Sequence, residues 1–128
     1  MNTTTSEEIL SLIINFEYLL KSSDSNKFDI KLKVLHLINT NEKVSPNYLI
    51  EKLGMARSNL AIMCNKLHKD GLITKNKEPL NKKEIYYVIT EKGKELLQEN
   101  FSKTEATLEK LRNKNKIIKL SKDLSKLI

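Results

Sequence analysis

The side chains that most often carry covalent or metal chemistry are scarce in this chain: one cysteine, Cys64, and two histidines, His36 and His68, among 128 residues. A single thiol excludes an internal disulfide and a thiolate-rich zinc site, and it fits a reducing compartment. Neither histidine has a cysteine or carboxylate at ligand spacing, so bland roles are expected of both. No phosphate-cradling glycine loop, nucleophile motif or acid pair is present. Catalytic residues, metals and cofactors are therefore expected to be none, and the chain is read as a non-enzyme. The chemistry that remains is non-covalent. Arg57, Ser58, Asn59, Ile62, Asn65, Lys66 and Lys69 share one face if their stretch is helical. Arginine can fork onto guanine, asparagine onto adenine, and isoleucine can touch a thymine methyl. Taken alone, such a face is also what any solvated helix in a basic protein presents.

What distinguishes these residues is the order of the elements that must hold them. Leu60, Met63, Cys64 and Leu67 recur at the spacing of an inner helical face, and Asp70-Gly71 closes that helix at about residue 70. Before it, Ser45-Pro46 starts a short helix over about 46–53, the serine capping free amides and the proline taking the first turn. The turn Gly54-Met55-Ala56 joins the two. Leu72-Ile73-Thr74 and Glu84 to Ile89 have strand composition and flank a polar stretch with Pro79, which describes a hairpin with a long charged tip. Helix, tight turn, helix and hairpin in that order make a winged helix-turn-helix, with the second helix as reader. Lys75, Asn81, Lys82 and Lys83 place further donors on the wing, about 74–89, where Glu78 and Glu84 offset them. Phosphate contact by at least two of Lys75, Lys77, Lys82 and Lys83 is preferred over a self-paired hairpin.

The flanks read as helices. Thr5-Ser6-Glu7-Glu8 resembles a capping box with Thr5 as acceptor, starting a helix over 6–22 whose apolar arc is wide. Asn26 can cap a second helix with Phe28, Leu32, Leu35 and Ile38 on one face. Thr90-Glu91 caps another, reaching about residue 112, and Ile117, Leu120, Leu124 and Leu127 mark a last amphipathic helix. The fold class expected is mainly α with a small β-hairpin wing (α+β). The formal charge is +7, yet residues 1–22 carry −2, so any polyanion-binding surface lies beyond the first helix. Ile9 to Leu20 is too short and too polar for a membrane span, and the start lacks the basic residues of a secretory signal. A cytoplasmic location without membrane association is expected.

Leu49-Ile50-Glu51-Lys52-Leu53-Gly54-Met55-Ala56-Arg57-Ser58-Asn59-Leu60, Leu67-His68-Lys69-Asp70-Gly71-Leu72-Ile73 and Ile89-Thr90-Glu91-Lys92-Gly93 resemble the multiple-antibiotic-resistance regulator (MarR) family of bacterial repressors. The resemblance implies one domain over 1–128, with the winged helix-turn-helix at 27–90 and dimerisation helices at 6–22 and 91–128. It implies a homodimer on double-stranded DNA, readers in successive major grooves and wings over the adjacent minor grooves. A near-palindromic operator with half-sites about 34–36 Å apart follows. Ser45 joins the reader and wing residues as a DNA contact, and Ile9, Ile13, Phe16, Leu20, Leu108, Ile117, Leu120, Leu124 and Leu127 become the dimerisation set.

The same resemblance implies a transcriptional regulator, read as a repressor released by a small-molecule effector. Tyr18, Tyr48, Tyr86, Tyr87, Phe16, Phe28 and Phe101 are candidates for lining an effector pocket, though ordinary core is their commoner role. Two departures bear on mechanism. Ala56 stands where the family commonly has a capping serine. Asn81-Lys82-Lys83 replaces an Asp-x-Arg pattern, so a lysine sits at the groove-inserting position and reads groove width less sharply. Cys64, on the reader's inner face, is expected to be a buried, inert thiol rather than an oxidant sensor. The basic stretch 110–128 is read as the polar face of a dimer helix in preference to a DNA-touching tail. The alternative function is a winged-helix protein-interaction module without sequence-specific DNA binding.

Overall fold

The computed structural model describes residues 5–22, 29–108 and 114–127, with only the backbone described for 19–22, 103–108 and 114. Among the described residues, six helices and one hairpin run in the order α1 (Thr5–Ser22), α2 (Ile30–Asn39), α3 (Pro46–Leu53), α4 (Arg57–Lys69), β1 (Ile73–Lys77), β2 (Ile85–Ile89), α5 (Glu91–Leu108) and α6 (Lys114–Lys126). This is the mainly α architecture with a β-hairpin wing that the pattern predicts. The backbone divides into two compact units, Phe28–Asn100 and a second made of Met1–Lys27 with Phe101–Ile128.

In the first unit, α2, α3 and α5 each start where a side-chain hydrogen bond replaces one the helix lacks. Asp29 caps α2, its Oδ1 accepting from the Leu32 amide at 2.9 Å. The expected cap, Asn26, lies outside the described residues; Asn and Asp are equally good caps, so composition alone did not choose between them. Leu32, Val34, Leu35 and Ile38 of α2 are buried. Ser45 Oγ accepts from the Tyr48 amide at 3.2 Å and starts α3, with Pro46 in the first turn. Gly54 ends α3 in the left-handed region at φ 63°, where a side chain would be strained. The α3–α4 link is thereby kept tight.

The inner face of α4 buries Leu60, Cys64 and Leu67 against α3 and β1, with Met63 half-buried beside them. The antiparallel hairpin pairs Ile73 with Ile89 and Lys77 with Ile85. One contact was not anticipated. Val44 bridges Tyr87, its amide donating to the Tyr87 carbonyl at 3.2 Å and its carbonyl accepting from the Tyr87 amide at 2.8 Å. The segment before α3 is thus stitched to the wing. A one-residue bridge has no periodicity, so no pattern announces it.

The junction into α5 explains the Thr90-Glu91-Lys92-Gly93 run. Thr90 Oγ1 accepts from the Gly93 amide at 3.1 Å and donates to the Gly71 carbonyl at 2.7 Å, while Lys92 Nζ donates to the Asp70 carbonyl at 2.9 Å. Gly93 is buried, and a Cβ there would overlap the Leu72 carbonyl oxygen and sit 2.7 Å from Ile89 Cγ1. Glycine is required by close approach rather than by φ.

In the second unit, α1 is described from Thr5 onward, and the residues before it, needed to judge the capping box expected at Thr5, lie outside the described set. Ile9, Leu10, Ile13, Ile14, Phe16 and Tyr18 of α1 are exposed, as are Ile118, Leu120, Leu124 and Leu127 in and just beyond α6, while Ile117 is half-buried. A Lys119–Asp123 pair at 3.0 Å lies on the polar side of α6. The side chains of Leu20 and Leu108, and residues 109–113 into which α5 was expected to run, lie outside the described set. No described helix is long and apolar enough to cross a membrane.

Candidate nucleic-acid interface

Arg57, Ser58, Asn59, Ile62, Asn65, Lys66 and Lys69 are all exposed on α4. The buried face beneath holds the helix so that these seven side chains point outward together. Ala56 occupies the N-cap position with extended φ and ψ and supplies no side-chain hydrogen bond. Its carbonyl still accepts the Leu60 amide at 3.0 Å, so the helix starts on backbone bonding alone.

Arg57 is not free. Its Nη2 donates to Asn47 Oδ1 at 2.8 Å across the helix-turn-helix. That bond ties the Arg57 side chain to α3 and uses one of its guanidinium donors. Asn47 was missed from the sequence. It sits ten residues from Arg57, and no spacing rule links positions on two crossing helices.

Between the starts of α3 and α4 and the wing lies a cleft of ≈ 680 Å³, lined among others by Ser45, Asn47, Arg57, Lys83 and Tyr86. Ser45, Arg57 and Lys83, three of the expected contacts, are brought together there. Lys43 also lines the cleft, pairing with Glu78 at 3.8 Å and lying 4.7 Å over the Tyr86 ring. The cation that meets Glu78 therefore comes from the segment before α3. Among the described residues, Lys75, Lys77, Lys82 and Lys83 have no ion-pair partner.

The wing tip is built by Asn81. Its Oδ1 accepts from the Lys83 amide at 3.2 Å and its carbonyl accepts from the Glu84 amide at 3.0 Å. The Glu78 amide donates to the Glu84 carbonyl at 2.9 Å and closes the loop below the tip. Lys75, Lys82 and Lys83 are exposed, as is Asn81.

Beneath the reader, Cys64 is buried and hydrogen-bonded to the side chain of Tyr87 in β2. Burial pushes its thiol pKa up, against smaller opposing effects of the Tyr87 bond and the nearby Lys75 charge. Burial and the same thiol also raise the Tyr87 phenol well above its ordinary value. A buried thiol held neutral is a poor nucleophile. No group of three or more histidine, cysteine or acidic side chains among the described residues could hold a metal ion. Of the aromatic set, Tyr48 and Tyr86 line the cleft, Tyr87 is core, Phe16 and Tyr18 are exposed, and Phe28 lies outside the described residues.

A helix-turn-helix whose second helix shows a polar face beside an antiparallel wing defines a winged-helix protein. A family model described as a winged helix DNA-binding domain matches residues 30–111, and the chain belongs to that family. Its architecture is that of the MarR-type regulators. A Bacillus subtilis protein, the uncharacterized HTH-type transcriptional regulator YvnA, is 34% identical over 76 residues, 57% of this chain. Those residues span 48% of YvnA, so the chain matches about half the length of that relative. Among solved structures, the transcriptional regulator BldR from Sulfolobus solfataricus superposes with a TM-score of 0.68 at 19% identity, over 97% of this chain and 99% of BldR. A cysteine-to-serine mutant of Escherichia coli MarR, solved in complex with operator DNA, superposes at 0.62 and 18% identity, over 98% and 99%.

Proposed function

We propose that the protein is a sequence-specific, double-stranded-DNA-binding transcriptional regulator, acting as a dimeric repressor in the cytoplasm. The observation that carries this reading is the α4 face, where Arg57, Asn59, Asn65, Lys66 and Lys69 stand exposed over a packed inner stripe, with Arg57 oriented by Asn47. Arg57 and Asn59 read base edges in the major groove, while Lys66, Lys69 and the wing lysines meet phosphates and set register. The unpaired state of Lys75, Lys82 and Lys83 supports that role, since a lysine already in an ion pair would first have to break it. Exposed apolar faces on α1 and α6 support pairing with a second copy, and two readers then demand a near-palindromic operator with half-sites about 34–36 Å apart. A small-molecule effector that disfavours this spacing would release the DNA.

Selection of bound sequences from random duplexes, followed by binding of the consensus across a salt series, tests the reading. A palindromic consensus and an affinity that falls steeply with salt are expected. Binding with no sequence preference, or indifference to salt, would refute it. In that case a monomeric chain holding a stoichiometric protein partner through α1 would identify an interaction module instead.

A further inference from the structure

The wing carries an apolar side chain with no role in the fold. Leu80 is 102% exposed, against 70% for Ile62 on the reader, and every other exposed large apolar residue among those described lies on α1, on α6 or just beyond it. Water surrounds Leu80 completely, at an unfavourable hydration cost. The loop that presents it is ordered by three hydrogen bonds, donated by the Glu78 amide to the Glu84 carbonyl, by the Glu84 amide to the Asn81 carbonyl and by the Lys83 amide to the Asn81 side chain. Pro79 precedes it with a ring-fixed φ, which further restricts the approach to the tip. Exposed Lys82 and Lys83 follow directly.

We propose that Leu80 is a minor-groove wedge: as the wing settles, Lys82 and Lys83 engage phosphates and the leucine enters between the groove walls, partly unstacking a base step and bending the duplex. The inference rests on the reading that the wing lies over DNA. Charge complementarity selects this occupant: Glu78 is already paired with Lys43, so the unpaired Lys77, Lys82 and Lys83 outweigh Glu84 around the apolar tip, which suits a polyanion with an apolar base stack at its centre. An apolar wedge reads deformability where an arginine would read groove width, so sequence preference beneath the wing should favour flexible pyrimidine–purine steps.

The test compares wild type, Leu80→Ser and Leu80→Met on the selected consensus duplex with 2-aminopurine replacing adenines beneath the wing. Wild type and Leu80→Met are expected to raise 2-aminopurine fluorescence and bend the duplex in an end-labelled energy-transfer measurement. Leu80→Ser should abolish both signals and weaken binding about tenfold, with the salt slope unchanged because no phosphate contact is lost. Equal melting temperatures would show that the serine variant is folded. If Leu80→Ser binds and bends the duplex as wild type does, the wedge is overturned while the regulatory reading stands, and Leu80 belongs to a protein contact. If wild type binds no duplex, both fall together.

Discussion

At the residue scale, the reading proposed for α4 rests on Arg57, and Arg57 is held by Asn47. A guanidinium held at 2.8 Å by one side chain is partly pre-oriented, so less side-chain freedom is lost when its outward donors meet a base. Arg57→Ala should cost about 1–3 kcal/mol of discrimination at one base position, measured by competition with single-substitution duplexes. Asn47→Ala should reduce discrimination at that same position by about 0.5–1.5 kcal/mol while leaving other positions untouched. An equal effect at several positions would mean that Asn47 supports α3 rather than Arg57. Cys64 and Tyr87 make a different prediction. Both are held protonated by folding, so the folded chain keeps their protons to higher pH than the unfolded chain does. Their stabilising contribution is complete below the ordinary thiol value of 9.0 and is lost as pH rises toward the raised folded values. Urea midpoints should therefore fall above about pH 9, and fall less steeply in Tyr87→Phe, which cannot ionise.

At the element scale, the start of α5 is a joint between helix, strand and turn. Thr90 bonds both to its own helix and to the Gly71 carbonyl, and Gly93 lets the helix lie against the Leu72 backbone. Gly93→Ala should destabilise the winged unit by about 1–3 kcal/mol, because the obstructing atom is a backbone oxygen that no rotamer change can move. A lowered thermal midpoint checks this; an unchanged one would mean that the junction opens without cost. The reader helix shows the opposite economy. It starts at Ala56 without a side-chain cap, and its stability comes from the Leu60, Cys64 and Leu67 stripe.

For the whole molecule, the exposed apolar faces of α1 and α6 are too extensive to be left in water. With a second copy as the occupant, Phe16→Glu places a charge in that seam. Light scattering should then give the monomer mass, and affinity for the two-half-site duplex should fall about a hundredfold or more, while a single half-site is bound as before. A dimeric Phe16→Glu protein would move the seam elsewhere.

Local chemistry made much of this legible. Ser45-Pro46, Gly54, the α4 stripe and the two strand segments each carry their signal within a few residues, because caps, turns and periodicity are short-range constraints. The reader face follows from them by subtraction, since what does not pack must point outward. Where two local solutions were equivalent, as with Asn26 and Asp29, composition could not choose. What only the tertiary structure decided joins residues distant along the chain: Asn47 on Arg57, Val44 on Tyr87, Lys43 on Glu78, and the Leu72 carbonyl that demands glycine at position 93. Those contacts depend on how helices cross and how close backbones come. Crossing and approach are properties of the packed solid, and no one-dimensional spacing encodes them.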